Sequence, residues 1–127
     1  MSALKILHVD DEDDIREVAA FALELDPDIT LTSAASGEAA LAALDAGLGP
    51  DVILLDVMMP HLDGPGTLAR IRERQAHQAT PVIFMTARAQ SGEVDHYRAL
   101  GALDVITKPF DPMTLAQDVR AILAARR

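Results

Sequence analysis

Five polar or charged side chains that could bind a cation or a phosphoryl group come directly after, or at the end of, short apolar runs in this sequence. They are Asp10, Asp11, Asp56, Thr86 and Lys108. Three carboxylates within a few ångströms repel one another, so one of them takes up a proton at neutral pH unless a cation is present. A threonine hydroxyl and a lysine ammonium can each contact a phosphoryl oxygen. Together these groups predict a pocket for a divalent cation and a phosphoryl group.

The chemistry of such a pocket points to phosphoryl transfer onto a carboxylate. Oxygen ligands suit Mg²⁺, which proteins bind through one or two carboxylates while it keeps waters and contacts phosphate oxygens. Asp56 is the best candidate nucleophile, because it ends the apolar run Val52-Ile53-Leu54-Leu55 alone and would form an aspartyl phosphate. Thr86 and Lys108 would neutralise the charge that develops during transfer.

These residues meet only if the apolar runs beside them are parallel strands of one sheet. Short apolar runs alternate with helical patterning, which predicts strands at Leu4–Val9, Ile29–Ala34, Val52–Asp56, Val82–Met85 and Asp104–Thr107. Strict alternation predicts a doubly wound α/β fold with helices on both faces and right-handed crossovers. The site of such a fold lies at the carboxyl ends of the strands, where the strand order reverses.

Start signals for the helices lie between the strands. They are Asp14, Ser36, Gly64, Ser91 and Asp111-Pro112. In the last pair, Asp111 would be the N-cap and Pro112 the first helical residue. Asp13 and Asp14 suit the positive end of a helix, so we give them no role in the metal site. The role of Glu12 stays open.

Composition sets limits on the class of protein. The 127 residues predict one domain, 1–127, and the absence of cysteine excludes disulfides, thiolate metal sites and a cysteine nucleophile. No signal peptide or membrane-spanning run is present, so we expect a cytoplasmic protein. The net charge of −9 argues against nucleic acid and anionic membranes as partners. It favours a cation or a basic partner surface.

Four motifs carry a resemblance to a known family. The runs ILHVDDE, DVILLDVMMPHLDG, PVIFMTA and VITKPF closely resemble a bacterial response-regulator receiver domain of the chemotaxis-regulator type. The likeness covers essentially the whole chain. The intervals of 45, 30 and 22 residues that separate Asp11, Asp56, Thr86 and Lys108 also fit that family. The resemblance implies five parallel strands in the flavodoxin-like order 2-1-3-4-5.

The resemblance also implies a role for each site residue. Asp56 would be the phosphoacceptor, Asp11 a direct Mg²⁺ ligand, and Asp10 a ligand that acts through water. The backbone carbonyl of Met58 would be a third protein ligand. Thr86 would contact the phosphoryl group with its hydroxyl and Lys108 with its ammonium. A cis Lys108-Pro109 bond is expected as well.

The chain departs from the family pattern at Val105, and two other residues, Met58 and Arg88, bear on the lifetime of the phosphorylated state. Many receivers carry Tyr or Phe three residues before the lysine, where this chain has the switch position Val105. A valine has no ring to turn. We therefore expect the conformational change that follows phosphorylation to involve the loop after Thr86 and the helix near Ser91 to Leu100. Met58 and Arg88 would shield the acyl phosphate from water, which favours slow self-dephosphorylation.

The resulting expectation is a stand-alone receiver of a two-component or phosphorelay system. It would accept a phosphoryl group from phosphohistidine on a histidine kinase or histidine phosphotransfer protein. It would then signal through a downstream protein target or pass the group on. We expect a monomer that is not an enzyme, apart from assisting its own phosphorylation and dephosphorylation.

Other functions fit the sequence less well. A phosphorylation-independent docking module with a relic pocket is the main alternative, and a small aspartate-based phosphatase is a third. An EF-hand starting at Asp10 needs glycine and glutamate where the chain has Ile15 and Phe21. A haloacid-dehalogenase phosphatase needs a second aspartate at Met58. The four histidines show no metal-ligand spacing, Asp63 is predicted to be a turn residue, and Tyr97 to pack partly into the core.

Overall fold

Strands and helices alternate strictly along the chain. The computed structural model describes residues 2–126, so Met1 and Arg127 of the predicted domain lie outside the described residues. The strands are Leu4–Val9 (β1), Ile29–Ala34 (β2), Val52–Asp56 (β3), Val82–Thr86 (β4) and Asp104–Thr107 (β5). The helices are Asp13–Glu24 (α1), Gly37–Asp45 (α2), Gly64–Glu73 (α3), Ser91–Ala99 (α4) and Leu115–Ala125 (α5), with a 3₁₀ turn at Gln75–His77.

The five strands form one parallel sheet in the order β2-β1-β3-β4-β5. This order confirms the doubly wound fold, and it reverses between β1 and β3. The register pairs Val9 with Leu55, Asp56 with Met85 and Thr86 with Thr107. The carboxyl ends of β1, β3, β4 and β5 therefore lie side by side, which brings the residues that follow them to one edge.

Two apolar layers enclose the sheet. Alternate residues of a strand point to opposite faces, so Leu7 and Val9 join the layer under α2 and α3, whereas Ile6 joins the layer under α1 and α5. Fully burying such a side chain stabilises the fold by about 2 kcal/mol. The apolar runs of the sequence form this core. Within residues 2–126, no helix has the length and apolar content needed to cross a bilayer.

Most helix starts agree with the sequence prediction. Ser36 caps α2, with its Oγ accepting from the backbone N–H of Ala39 at 3.0 Å. The prediction for the last helix is wrong, since α5 begins at Leu115 after the cap residue Thr114. The Asp111 carboxylate instead accepts from the backbone N–H of Met113 at 2.9 Å. This bond stabilises a turn over residues 111–114 that leads into the helix.

Candidate functional site

The predicted carboxylates meet at the carboxyl edge of the sheet. Asp10 and Asp11 follow β1 and Asp56 ends the neighbouring β3, with one carboxylate oxygen of each lying within 4.8 Å of the others. Among residues 2–126, this is the one group of acidic, histidine or cysteine side chains that meets the geometry for a metal ion. The donor set is all oxygen, which fits Mg²⁺.

Lys108 joins the group from the end of β5. Its Nζ donates to Asp10 Oδ2 at 2.7 Å and to Asp56 Oδ1 at 3.0 Å. Burial lowers the pKa of Lys108, but these hydrogen bonds outweigh that effect and raise it above the ordinary value. The Lys108-Pro109 bond is cis, as the sequence predicts.

Burial makes Asp56 an unusual aspartate. Its exposed fraction is 4% and that of Asp10 is 0%, whereas Asp11 is exposed. Desolvation raises the pKa of Asp56 to about 6; the Lys108 hydrogen bond opposes this, and the charge of Asp10 adds to it. Two buried carboxylates thus share a single ammonium. The site has an excess of negative charge, which a bound cation would relieve.

Thr86 completes the edge at the end of β4. It is buried, and its Oγ1 accepts from the backbone N–H of Arg88 at 3.1 Å. The hydroxyl proton is left to donate to another group. A cavity of about 500 Å³ opens beside Asp56, and Thr86, Lys108 and Met58 contribute to its walls. The Met58 side chain is 78% exposed, so it does not pack into the core as its neighbour Met59 does.

Arg16 is a contributor that the sequence interpretation missed. Its Nη1 donates to the backbone carbonyl of Asp10 at 2.6 Å, and its Nη2 pairs with the carboxylate of Asp13. The backbone N–H of Glu12 donates to Asp10 Oδ1 at 2.9 Å. The turn between β1 and α1 is therefore held from both sides. The only sequence signal was one arginine in the first turn of a helix that begins with acids.

His8 lies on β1, two residues before Asp10, and is fully buried. Within residues 2–126, neither ring nitrogen has a hydrogen-bond partner. Desolvation lowers the pKa of His8 to about 4, with the charge of Asp10 opposing and those of Lys108 and Arg16 adding to the effect. Of the other histidines, His77 Nδ1 lies 3.1 Å from Thr80 Oγ1 and the remaining two are exposed. The sequence did not show that His8 would be buried without a partner.

A model of the response regulator receiver domain family matches residues 6–120. The chain belongs to that family. Transcriptional regulatory protein CseB of Streptomyces avermitilis is 42% identical to this receiver domain over 118 residues, 93% of this chain and 48% of CseB. Response regulator Rre1 of Synechocystis is 36% identical over 124 residues, 98% of this chain and 53% of Rre1. The receiver domain therefore spans about half the length of these curated relatives.

The solved structure of a chemotaxis response regulator has the same fold over most of this chain. The chemotaxis response regulator CheY4 of Vibrio cholerae superposes with a TM-score of 0.85 at 30% identity, over 95% of this chain and 99% of CheY4. Family and fold agree with the expectation from the sequence motifs. The receiver domain belongs to phosphorylation-based signalling, and receiver domains bind Mg²⁺ at an aspartate cluster of the kind that Asp10, Asp11 and Asp56 form.

Proposed function

We propose that Asp56 accepts a phosphoryl group from a phosphohistidine, with Thr86 and Lys108 contacting the transferred group. The observation that carries this proposal is the buried Asp56 carboxylate, with its pKa raised to about 6, beside a lysine and two further aspartates. An oxygen of Asp56 forms a bond to phosphorus while the P–N bond of the donor breaks, and that electron pair returns to the imidazole. Hydrolysis then adds water to phosphorus, releases inorganic phosphate and regenerates the carboxylate.

The charges of the site suit this transfer. We propose that Asp10, Asp11, Asp56 and the backbone carbonyl of Met58 would hold Mg²⁺, with Asp10 acting through water. When bound, Mg²⁺ supplies positive charge that neutralises the carboxylates and the phosphoryl oxygens. Lys108 bridges Asp10 and Asp56, so its ammonium is already placed to pair with a phosphoryl oxygen on Asp56. Thr86 has a hydroxyl proton free to donate to a second oxygen.

The partners follow from the same chemistry. A histidine kinase or histidine phosphotransfer protein of the cytoplasm would supply the phosphoryl group, and a downstream protein would read the phosphorylated state or accept the group in turn. The net charge of −9 supports a basic protein surface as the partner rather than nucleic acid. We propose that the domain catalyses only its own phosphorylation and dephosphorylation.

Beryllofluoride, which mimics a phosphoryl group, tests the assignment. Binding measured by calorimetry should require Mg²⁺ and should disappear in Asp56→Asn, and acetyl phosphate should label the wild type alone. Asp11→Ala should weaken Mg²⁺ binding at least tenfold. Asp14→Ala is the matched control, since Asp14 lies in the first turn of α1 outside the carboxylate group. It should change neither the beryllofluoride binding nor the Mg²⁺ binding.

A different result would favour the docking module. If neither beryllofluoride nor acetyl phosphate reacts with the wild type at millimolar Mg²⁺, the phosphoacceptor mechanism is wrong for this chain. A partner that binds wild type and Asp56→Asn equally would then support phosphorylation-independent docking.

The lifetime of the phosphorylated state is a separate proposal. The side chains of Met58 and Arg88 are exposed and both line the cavity beside Asp56. An apolar thioether and a long guanidinium there would restrict the approach of water to the acyl phosphate. Decay of labelled protein should take minutes, and decay within seconds would contradict this proposal.

A further inference from the structure

Helix α4 meets the cavity beside Asp56 through an aromatic ring. Tyr97 of α4 lines the same cavity as Asp56 and Thr86, and Glu93 from the preceding turn of the helix also contributes to the wall. The cavity thus has two walls of different origin. One comes from the strand ends that carry the phosphoryl chemistry, and the other comes from a helix that plays no part in it.

The attachment of α4 to the rest of the molecule is slight. No residue of α4 is buried, and the half-buried ones are Glu93, Val94 and Tyr97. Two of these three line the cavity. The side chain of Gln90, which precedes the helix, makes no cap hydrogen bond. Few buried contacts mean a small cost of displacement, so α4 can move when its contacts at the cavity change.

The surface under the Tyr97 ring, by contrast, is fixed. Its ring stacks edge-on against Phe84, with centroids 5.1 Å apart and planes at 62°. Phe84 is fully buried on β4, two residues before Thr86, and its Cε1 would lie 3.1 Å from a Cβ added at Gly64 of α3. Phe84 is held in place by its full burial in the close-packed core. Of the two rings, Tyr97 is therefore the one that can shift when the cavity is filled.

Val105 of β5 offers no comparable contact. It is half-buried and packs against the same apolar cluster as Tyr97, but it is aliphatic and is absent from the cavity lining. Among the described residues that line this cavity, Tyr97 contributes the one aromatic ring.

We propose that Tyr97 couples occupancy of the Asp56 cavity to the position of α4. A phosphoryl group on Asp56 adds volume and three acceptor oxygens to the cavity, the Tyr97 ring shifts on Phe84, and α4 follows because no buried side chain holds it back. The inference rests on the proposed function, since it takes Asp56 as the phosphoacceptor. It gives the resulting signal a location on the surface of α4.

The fluorescence of Tyr97 provides an intrinsic probe for this coupling. Tyr97 is the single tyrosine and there is no tryptophan, so intrinsic emission reports on this ring alone. With Mg²⁺ present, beryllofluoride should change tyrosine emission and its quenching by acrylamide with the same midpoint as binding measured by calorimetry. Asp56→Asn should show no change. Wild-type binding without any change in emission would overturn the coupling while leaving the phosphoacceptor assignment in place.

Variants then test whether the ring moves the helix. Amide shift changes over residues 91–100 on beryllofluoride binding should persist in Tyr97→Phe, which keeps the ring. They should fall by about half or more in Tyr97→Leu, while binding at Asp56 is retained. Val105→Ala, the matched control from the same cluster, should keep the α4 response. A full α4 response in Tyr97→Leu, or its loss in Val105→Ala alone, would overturn the inference. No binding to the wild type would overturn the proposed function itself.

Discussion

Helices α3 and α4 follow neighbouring strands and begin at the same edge of the sheet, yet they are held differently. α3 buries Gly64, Thr67, Leu68 and Ile71, and α4 buries no residue. The Asp63 carboxylate caps α3 by accepting from the backbone N–H of Gly66 at 2.8 Å, while α4 has no side-chain cap. The segment that runs from Asp56 and Val57, which line the cavity, into the firmly packed α3 therefore forms a rigid wall of the site. Helix α4 forms a loosely held wall, which can respond to what the cavity contains.

The largest expected effect is at Gly64 on the rigid wall. A Cβ there would lie 2.5 Å from the carbonyl oxygen of Asp56 and 2.8 Å from Cα of Val57. Both are backbone atoms, so Gly64→Ala must displace the loop after Asp56. We expect a loss of roughly 3 kcal/mol in the free energy of unfolding by urea, and weaker beryllofluoride binding. Wild-type stability in this variant would show that the rigid wall yields easily.

The second effect is a pH dependence from His8, a buried residue of β1 two positions before Asp10. The pKa of His8 is about 4 when folded, against 6.5 when exposed. As the pH falls below 6.5 the unfolded chain takes up a proton that the folded chain refuses until about pH 4, so stability is lost in that interval. His8→Leu should remove this loss, which is about 2 kcal/mol at pH 5.

The measurement is the difference in unfolding free energy between wild type and His8→Leu at several pH values. Asp56, with its raised pKa, acts in the opposite direction below about pH 6, but it is present in both proteins and cancels. The difference should grow in favour of the variant from pH 7.5 to pH 5. A difference that does not change with pH would mean that His8 is not held neutral by burial.

The third effect concerns the cap of α3. Asp63→Ala removes the hydrogen bond to the backbone N–H of Gly66 and should lower the free energy of unfolding by about 1 kcal/mol. Because the buried residues of α3 remain in place, beryllofluoride affinity should change little. Asp63→Asn is the control that retains a capping oxygen. A large loss of affinity in Asp63→Ala alone would mean that the cap, rather than the burial of α3, holds the loop after Asp56 in place.

The smallest effect has the opposite sign and comes from the loosely held wall. Gly92 is the second residue of α4, and a Cβ there would meet nothing within 4 Å. Gly92→Ala should stabilise α4 by about 0.5 kcal/mol, because alanine has less freedom to lose than glycine on forming a helix. Hydrogen exchange of the α4 amides should slow. Faster exchange would show that α4 needs a glycine at this point.

The residues at the carboxyl edge of the sheet could largely be predicted from the sequence, because four of the five strands end in a polar residue or run directly into one. The strand bounds agree except that β4 extends to Thr86 rather than ending at Met85. Helix ends were harder, since a capping residue can serve a turn as well as a helix, as Asp111 does. The Gly64-Pro65-Gly66 segment looks unfavourable for a helix start, but the close approach of the Asp56 carbonyl oxygen and the Val57 Cα requires the glycine at position 64.

The sequence by itself determined the alternation of strands and helices and the edge of the sheet at which Asp10, Asp11, Asp56, Thr86 and Lys108 lie, because these depend on period and spacing along the chain. The strand order was implied by the resemblance to the receiver family, and the sheet confirms it. Only the tertiary structure decided how Lys108 is shared between Asp10 and Asp56, that His8 is fully buried, and that Tyr97 reaches the cavity. Those features depend on distances between side chains from different elements. Such distances exist only once the sheet and its two helix layers have packed together.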